Sequence, residues 1–527
     1  MATADPIPEV QPGAQETQKF REQMGQVSRH SAVFFAGTVF TAAAAYVFKV
    51  YLARELGARA LGIYALGMTV VGFLGVFNAL GLHRAALRFV PSYCATGKMD
   101  LLRGFLVRSI VVLLVANALL GAGVLWVGPW VALHFYHTPE LKPYLGMFVT
   151  IMLLGVMTAF LGHLLGGYKA VARRTVLTNF ISTPAMMILT VILVTAGFGL
   201  WGYLVAQIAS AVILLVLLAG AAWRLTPGVA RSFSGGLARF QPDVVAFSGA
   251  ALGLSFLEFL MSQADRVVIG IYRDAKALGI YAVAASMIIF VTVILRSVNQ
   301  IFGPIISDLH AREQPQVLGR MFQTLTKWIF GLSIPLAAVM IFFASGLMGI
   351  FGADFRAGWL VLVIGTLAQL VNCGVGSSGT MLFMSGHQNT LVKIHGIAAV
   401  AMVLLSFALT PRWGINGAAL SYGFTIVLTN LWYLVEVRRK LGLLPYNRTY
   451  LRLFVPLGGT LLGVWFLRMW LGAAHPQWLM IGLSLLAAYV VFTSLALLMG
   501  LDADDRMIAR AVWSRIRSVI PRTEVGI

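Results

Sequence analysis

Stretches of about twenty predominantly apolar residues alternate with short polar segments along this 527-residue chain. A run of that length crosses a hydrocarbon layer of about 30 Å as a helix, which satisfies its own backbone donors and acceptors where lipid offers none. Reading the runs against Gly, Pro and charged breakers predicts spans near 33–51, 61–80, 105–127, 144–166, 176–195 and 201–222. After a basic segment, further spans fall near 244–269, 278–301, 328–343, 359–375, 395–409 and 415–434, and two more near 453–471 and 478–499. The expected fold is all-α, with about fourteen transmembrane helices. Its parts are a disordered cytoplasmic tail (1–30), a six-helix lobe (31–222), a cytoplasmic linker (223–243), a second six-helix lobe (244–440), two additional transmembrane helices (441–500) and a basic amphipathic tail (501–527).

The two halves share sequence. Ala60-Leu61-Gly62-Ile63-Tyr64-Ala65 recurs letter for letter as Ala277-Leu278-Gly279-Ile280-Tyr281-Ala282, and at the same spacing Lys49 falls on Arg266, Arg59 on Lys276, Arg103 on Arg320 and Phe105 on Phe322. Gly199 and Gly202 are echoed by Gly414 and Gly417. With an even number of spans per half, both copies enter the membrane from the same side. The expectation is parallel repeats related by an axis along the membrane normal, enclosing a central cavity and working by alternating access.

Composition narrows the class. With 59% hydrophobic residues, 11% charged and a mean hydropathy of +0.85, the chain is no water-soluble enzyme. The net charge of +20 forms no stripe with aromatics that nucleic acid would need; its basic residues sit in short loops between spans. With a cytoplasmic N-terminus, roughly 28 Lys and Arg fall inside and roughly 9 outside, which orients the chain with both termini in the cytoplasm of a plasma (inner) membrane. The first thirty residues lack the apolar core of a cleaved signal. Residues 503–522 set Arg506, Arg510, Arg515 and Arg517 beside Ile508, Val512, Trp513, Ile516 and Ile520, the pattern of a helix lying on anionic lipid, with a partner-binding helix as the alternative.

No catalytic, metal or cofactor motif emerges: Walker A, GxSxG and HExxH sequences are absent, the two cysteines form no CxxC, and the nine histidines show no ligand spacing. The expectation is a transporter with no cofactor, not an enzyme. The informative groups are the ionisable ones inside spans, since such groups are expensive in lipid unless they line a cavity or snorkel. Lys49 and Arg266, at matching places in the two halves, are expected to face each other across the cavity. Glu258, Ser262 and Arg266, four residues apart, form a polar stripe on the seventh span, in which Glu258 balances a cation or takes up a coupling ion, or is simply satisfied by packing. Asp265 is expected near the outer interface, paired with a loop cation. Arg296, with Asn299 and Gln300, joins Arg84 and Arg88 in an inward-facing basic vestibule suited to a phosphate head group, although topology alone would also place Arg84 and Arg88 there. Gln369, Asn372 and Asn78 are read first as interhelical hydrogen-bonding groups.

On these spans and repeats, the stretches LARELGARALGIYALGMTVVGFLGVFNALGLHRAALRFVPSYCATGK (52–98), SQADRVVIGIYRDAKALGIYAVA (262–284) and MLFMSGHQNTLVKIHGIAAVAMVLLSFALTPRWGINGAALSYG (381–423) resemble the polysaccharide-export, or Wzx-type, flippases of the multidrug/oligosaccharidyl-lipid/polysaccharide superfamily. The resemblance covers residues 34–446 and includes Gly414, Gly417, Ala418 and Ala419. It implies a two-lobed twelve-helix core with two extra helices, a lipid-linked oligosaccharide as cargo, an undecaprenyl-pyrophosphate carrier held by cavity cations, and an ion gradient or potential as drive. Lys49, Arg266 and Arg296 fit such a cavity by role and location. Membrane lipid, and a polysaccharide polymerase or glycosyltransferases, are the implied partners; no nucleic acid is. An ion-coupled multidrug antiporter of the same superfamily would need an acidic cavity, and a membrane scaffold would need no polar stripe.

Overall fold

The computed structural model describes residues 14–228, 240–471 and 477–500. The whole of the expected basic tail (501–527), and residues 229–239 of the linker, lie outside them. The chain forms two compact units, Met1–Tyr51 with Asp505–Ile527, and Leu52–Asp504. All contacts below lie within the second.

Helices account for every long element, and there is no strand among the described residues. In chain order they are α1 (Ala14–Asn78), α2 (Leu82–Ala95), α3 (Met99–His134), α4 (Leu145–Gly167), α5 (Thr183–Leu193), α6 (Gly199–Leu225), α7 (Pro242–Tyr272) and α8 (Ala275–Ile288). There follow α9 (Val293–Ala311), α10 (Pro315–Phe342), α11 (Trp359–Val375), α12 (Ser378–Met384), α13 (Gln388–Trp413), α14 (Ile415–Leu441), α15 (Phe454–Leu471) and α16 (Gln477–Leu498). Eleven segments among the described residues are long and apolar enough to cross a membrane, with Phe454–Trp470 as a shorter addition. Two of the eleven, Ala44–Asn78 and Ala172–Leu225, are each a pair of helices joined at glycine: Gly57 has φ 73°, and Gly197 and Gly199 have φ 91° and 52°. Counting each pair as two recovers the fourteen expected. The described part of the expected tail, from Ala14, is helical, and residues 1–13 lie outside the described residues.

Local sequence explains the ends. Pro242 opens α7 at a position whose N–H has no helical partner, and Asp274 caps α8 by accepting from the Ala277 N–H at 3.0 Å. Exposed large apolar side chains such as Trp126, Val216, Leu404 and Trp470 face outward, as expected of helices solvated by lipid. Separate buried clusters hold the two halves: Leu102, Phe105, Phe160 and Leu165 in the first, and Phe302, Ile306, Phe322 and Leu382 in the second. The last two helices pack on α10 through Ala338, Val339, Val464, Met480 and Ala488, and the Tyr489 hydroxyl donates to the Leu332 carbonyl at 3.0 Å.

The halves meet where the second segment of α1 runs antiparallel along α7. Phe73 stacks near Phe259 with ring centroids 5.6 Å apart, Phe77 near Phe256 at 6.0 Å, and Gly270 leaves room for Leu66 and Tyr136. At one end of this seam the two copies of the repeated hexapeptide touch reciprocally. A Cβ on Gly62 would lie 1.5 Å from the Ala275 carbonyl oxygen, and one on Gly279 would lie 2.0 Å from that of Ala58. Ala58 and Ala275 are themselves equivalent in the repeat, so this is the self-complementary contact that a two-fold axis generates. Arg54 Nε donates across it to the Ile350 carbonyl at 2.8 Å. Matching ion pairs anchor each side within its own half, Arg59 to Glu140 and Lys276 to Asp354.

Because backbone blocks the space beside both glycines, Gly62→Leu and Gly279→Leu are each expected to cost about 2 kcal/mol or more. The loss should appear as a lower midpoint in thermal unfolding of the detergent-solubilised protein. Gly75→Ala, with nothing near its Cβ, is expected to be neutral or slightly stabilising.

Candidate functional site

The helix α7 carries two adjacent faces. Ser248, Phe256, Phe259 and Gly270 meet the first half, while Ser262, Asp265 and Arg266 border a polar cavity of about 800 Å³. Every residue lining this cavity lies between Met261 and Tyr433. The sequence led us to expect walls from both halves; among the described residues, the lining comes from the second, from α7, α8, α9, α11, α12, α13 and α14.

Among the described residues, its Arg, Asp and His side chains are Arg266, Arg296, Asp265 and His395. Arg266 donates from Nη1 to Gln263 Oε1 at 2.8 Å, and its Nε is buried with no hydrogen-bond partner among the described residues. Arg296 makes no hydrogen bond or ion pair among the described residues, and the neighbouring Asn299 Oδ1 is also buried without a partner. Asp265 is 4% exposed; it accepts from the Arg266 backbone N–H at 2.8 Å and from the Tyr281 hydroxyl. The expectation of an interfacial Asp265 paired with a loop cation is therefore corrected. One residue along a helix turns the side chain by about 100°, enough to bury this carboxylate against α8 while Arg266 stays beside the cavity.

Across the cavity, Gln369 Nε2 donates to the Tyr422 hydroxyl at 2.6 Å and Asn372 Nδ2 donates to Gln369 Oε1 at 2.8 Å. The bond from α11 to α14 is the interhelical role expected of these amides, but both also line the hollow. A second pair, His395 with the Tyr433 hydroxyl, joins α13 to α14. Tyr281, Tyr422, Tyr433 and His395 were not singled out from the sequence. The available signal was a set of Tyr and His residues inside otherwise apolar spans.

The remaining expected residues are elsewhere. Arg84 Nη2 lies 2.8 Å from Glu258 Oε2, a half-exposed ion pair joining α2 to α7, so Glu258 leaves the stripe it was expected to extend into the cavity wall. Arg88 is exposed, with its guanidinium carbon 4.7 Å from the Phe247 ring centroid. Neither arginine lines the cavity with Arg296, so the basic vestibule is not formed as expected: the chain end that follows the second span packs on α7 rather than on α9. Lys49 belongs to the first compact unit and is exposed there. In the buried part of the first half, Asn78 donates to Asn117 Oδ1 at 2.8 Å, which bears out its structural reading.

Family comparison then places the scaffold. The profile of a family described as polysaccharide biosynthesis protein matches residues 51–357. The chain belongs to that family. An uncharacterized membrane protein of Methanocaldococcus jannaschii is 22% identical over 437 residues, covering 77% of this chain and 83% of that protein. The capsular polysaccharide biosynthesis protein CapF of Staphylococcus aureus is 25% identical over 215 residues, 40% of this chain and 48% of CapF. Among solved structures, the lipid II flippase MurJ in an inward closed conformation superimposes with a TM-score of 0.69 at 12% identity, covering 88% of this chain and 98% of MurJ. An inward-facing multidrug resistance transporter of the MATE family and MOP superfamily gives 0.59 at 13% identity, covering 75% of this chain and 94% of that one. This member of the polysaccharide biosynthesis family is a multi-pass membrane protein with a transporter fold.

Two predictions follow from the charged and titratable groups that α2 presents to its neighbours. The exposed Arg84–Glu258 pair is expected to contribute no more than about 1 kcal/mol, read as the coupling term of a double-mutant cycle with Arg84→Ala and Glu258→Ala. His83, on α2, lies edge-on to His163 with ring centroids 5.0 Å apart; burial, with His163 and Arg84 nearby, pushes its pKa from 6.5 down to about 4. The native state therefore resists its protonation, so this contribution to stability is intact above pH 6.5 and is lost as pH falls toward 4. Melting of His83→Gln across that window should be less steeply pH-dependent than that of the parent.

Proposed function

We propose that this protein is a flippase that carries a lipid-linked oligosaccharide, of the undecaprenyl-pyrophosphate type, across the plasma membrane for cell-surface or exopolysaccharide synthesis. One observation carries the reading: among the described residues, the cavity holds Arg266 and Arg296 against one carboxylate, Asp265, which is already hydrogen-bonded. Unpaired guanidinium groups in a membrane-embedded hollow favour a polyanion, and their planar donor forks suit phosphate oxygens. A hydrated sugar and diphosphate cannot cross hydrocarbon unaided, whereas an isoprenoid tail remains soluble in it.

The transport cycle in this reading is alternating access. The head group enters from the cytoplasm, displaces water from Arg266 and Arg296, and leaves when the lobes rock apart on the other side. Arg84 and Arg88 would draw the anion toward the cytoplasmic mouth. Asp265 and Glu258 are the groups available to balance charge or take up a coupling ion. Both termini are cytoplasmic in this arrangement, next to the glycosyltransferases or polymerase that make and use the cargo. A multidrug antiporter on the same scaffold is disfavoured by charge sign, because cationic drugs need a net acidic cavity and this one is net basic.

Complementation of a flippase-deficient strain tests the proposal. The parent protein should restore surface polysaccharide, and Arg266→Ala should reduce it by about tenfold or more, the effect of losing a charge-assisted hydrogen bond of ~1.5–3 kcal/mol, while leaving the protein abundant in the membrane. Unchanged polysaccharide in that variant would remove Arg266 from the mechanism, and failure of the parent to complement any such strain would remove the function.

A further inference from the structure

The cavity's cations lie on α7 and α9, beside the neutral Ser262, Gln263 and Asn299, and a hydrogen-bonded run of neutral side chains, Tyr422, Gln369 and Asn372, links α14 to α11. Tyr422 is the link between the cations and this run: its hydroxyl accepts from Gln369, and it lies within electrostatic range of Asp265, Arg266 and Arg296. From the charged side the sequence of groups is therefore arginine, Tyr422, Gln369, Asn372.

The neutral part has unused hydrogen-bonding capacity. Gln369 is 7% exposed and spends one of its two amide hydrogens on Tyr422, while its oxygen accepts from Asn372. The Tyr422 hydroxyl accepts that bond and keeps its own proton to donate. Asn372, half-buried at the cavity wall, retains a second amide hydrogen and an oxygen that is not buried. Mutual bonding fixes the three side chains, so a ligand that joins them need not pay to order them. Alternating donors and acceptors of this kind match the hydroxyl or acetamido groups of a sugar ring. Phe383 supports the match: it is 50% exposed, yet lines the same hollow, offering an aromatic face to the apolar C–H side of a ring.

We infer that Tyr422, Gln369 and Asn372, with Phe383, form a sugar subsite that reads the ring attached directly to the diphosphate. The inference rests on the flippase reading and deepens it. It follows from covalent order: a diphosphate held at Arg266 and Arg296 places its first sugar at the next groups along the wall. Recognition of the carrier lipid and recognition of the sugar then lie on different helices and are separable by mutation.

The test compares two synthetic probes, undecaprenyl pyrophosphate and undecaprenyl pyrophosphate bearing one N-acetylhexosamine, binding to the purified full-length protein in lipid nanodiscs. The parent is expected to hold the glycosylated lipid about tenfold more tightly, the worth of two or three neutral hydrogen bonds offset by ordering the ring. Asn372→Leu should bring the two affinities within about twofold of each other by lowering only the glycosylated one. Tyr422→Phe, which keeps the ring and its packing, should narrow the gap in the same direction and so separates recognition from folding. Arg266→Gln should weaken both probes equally. A parent that binds both lipids equally, or variants Asn372→Leu and Tyr422→Phe that keep the full preference, would overturn the sugar subsite and leave the flippase reading standing. A parent that binds neither probe would overturn the flippase reading, and the subsite with it.

Discussion

The closest constraint in this fold is the contact between two glycines and two carbonyls. Gly62 meets Ala275, and its repeat equivalent Gly279 meets Ala58. In lipid there is little hydrophobic drive for helices to associate, since acyl chains are as apolar as leucine, and close packing of small residues has to supply the attraction. A reciprocal contact of this kind fixes the two-fold relation of the halves at one end and sets the depth of α7 beside the second segment of α1. That placement leaves the adjacent face of α7, with Arg266, free to border the cavity. The glycine–carbonyl contact itself involves no charge, and the Arg54 guanidinium that bridges it is exposed, so separating it exposes no buried ion and incurs no large desolvation cost. The ion pair nearest the other end of the seam, Arg84 with Glu258, is half-exposed and correspondingly weak. Both are joints that a rocking motion could break without a large barrier.

The scaffold is symmetric but its chemistry is not. Where the second half sets Tyr281 against the carboxylate of Asp265, the first half has the equivalent Tyr64 accepting from the neutral Gln207, which also donates to Tyr203 at 3.0 Å. The repeat position of Asp265 is Phe48 in the first half. Duplication thus supplied the frame twice, and the charged cavity was elaborated in one copy. In the proposed function, an asymmetric cargo, with an anionic point at one end of a neutral glycan, would suit a cavity whose described lining comes from one copy.

Much of this was legible in the sequence, and the reason is physical. Hydrocarbon demands long apolar helices, so the spans stand out, and the repeated hexapeptide exposes the symmetry that Gly62 and Gly279 use. Glycine breaks such as Gly57 separate helices that hydropathy alone would merge. Arg266 and Arg296 could be found because a cation inside a span has few alternatives to a cavity. What spacing could not give was which neighbour a helix face meets. Glu258 shares the stripe of Arg266, yet it sits on the side that Arg84 reaches from α2, and Asp265, one position away from Arg266, is buried against α8. The amides at Gln369 and Asn372 were visible, but their combination with Tyr422 depends on α11 and α14 being packed together, which no local pattern encodes.

The unpaired groups give the strongest link from energetics to function. The buried Nε of Arg266, without a partner among the described residues, is a cost that a fold selected for stability alone would remove by placing an acid or another acceptor nearby. Here an acid is nearby and is turned away: Asp265 directs its oxygens to Tyr281 and to the backbone, leaving the guanidinium of Arg266 without an ion-pair partner. Buried in this way, the carboxylate moderates the positive field without quenching it. Partial compensation keeps the empty cavity tolerable, while full compensation would abolish its attraction for an anion. An intermediate field also suits release, because a carrier that bound its cargo with two fully exposed charges in a low dielectric would hold it through the whole cycle. In the proposed transport cycle, the geometry of Asp265 therefore tunes how firmly the cavity holds an anion.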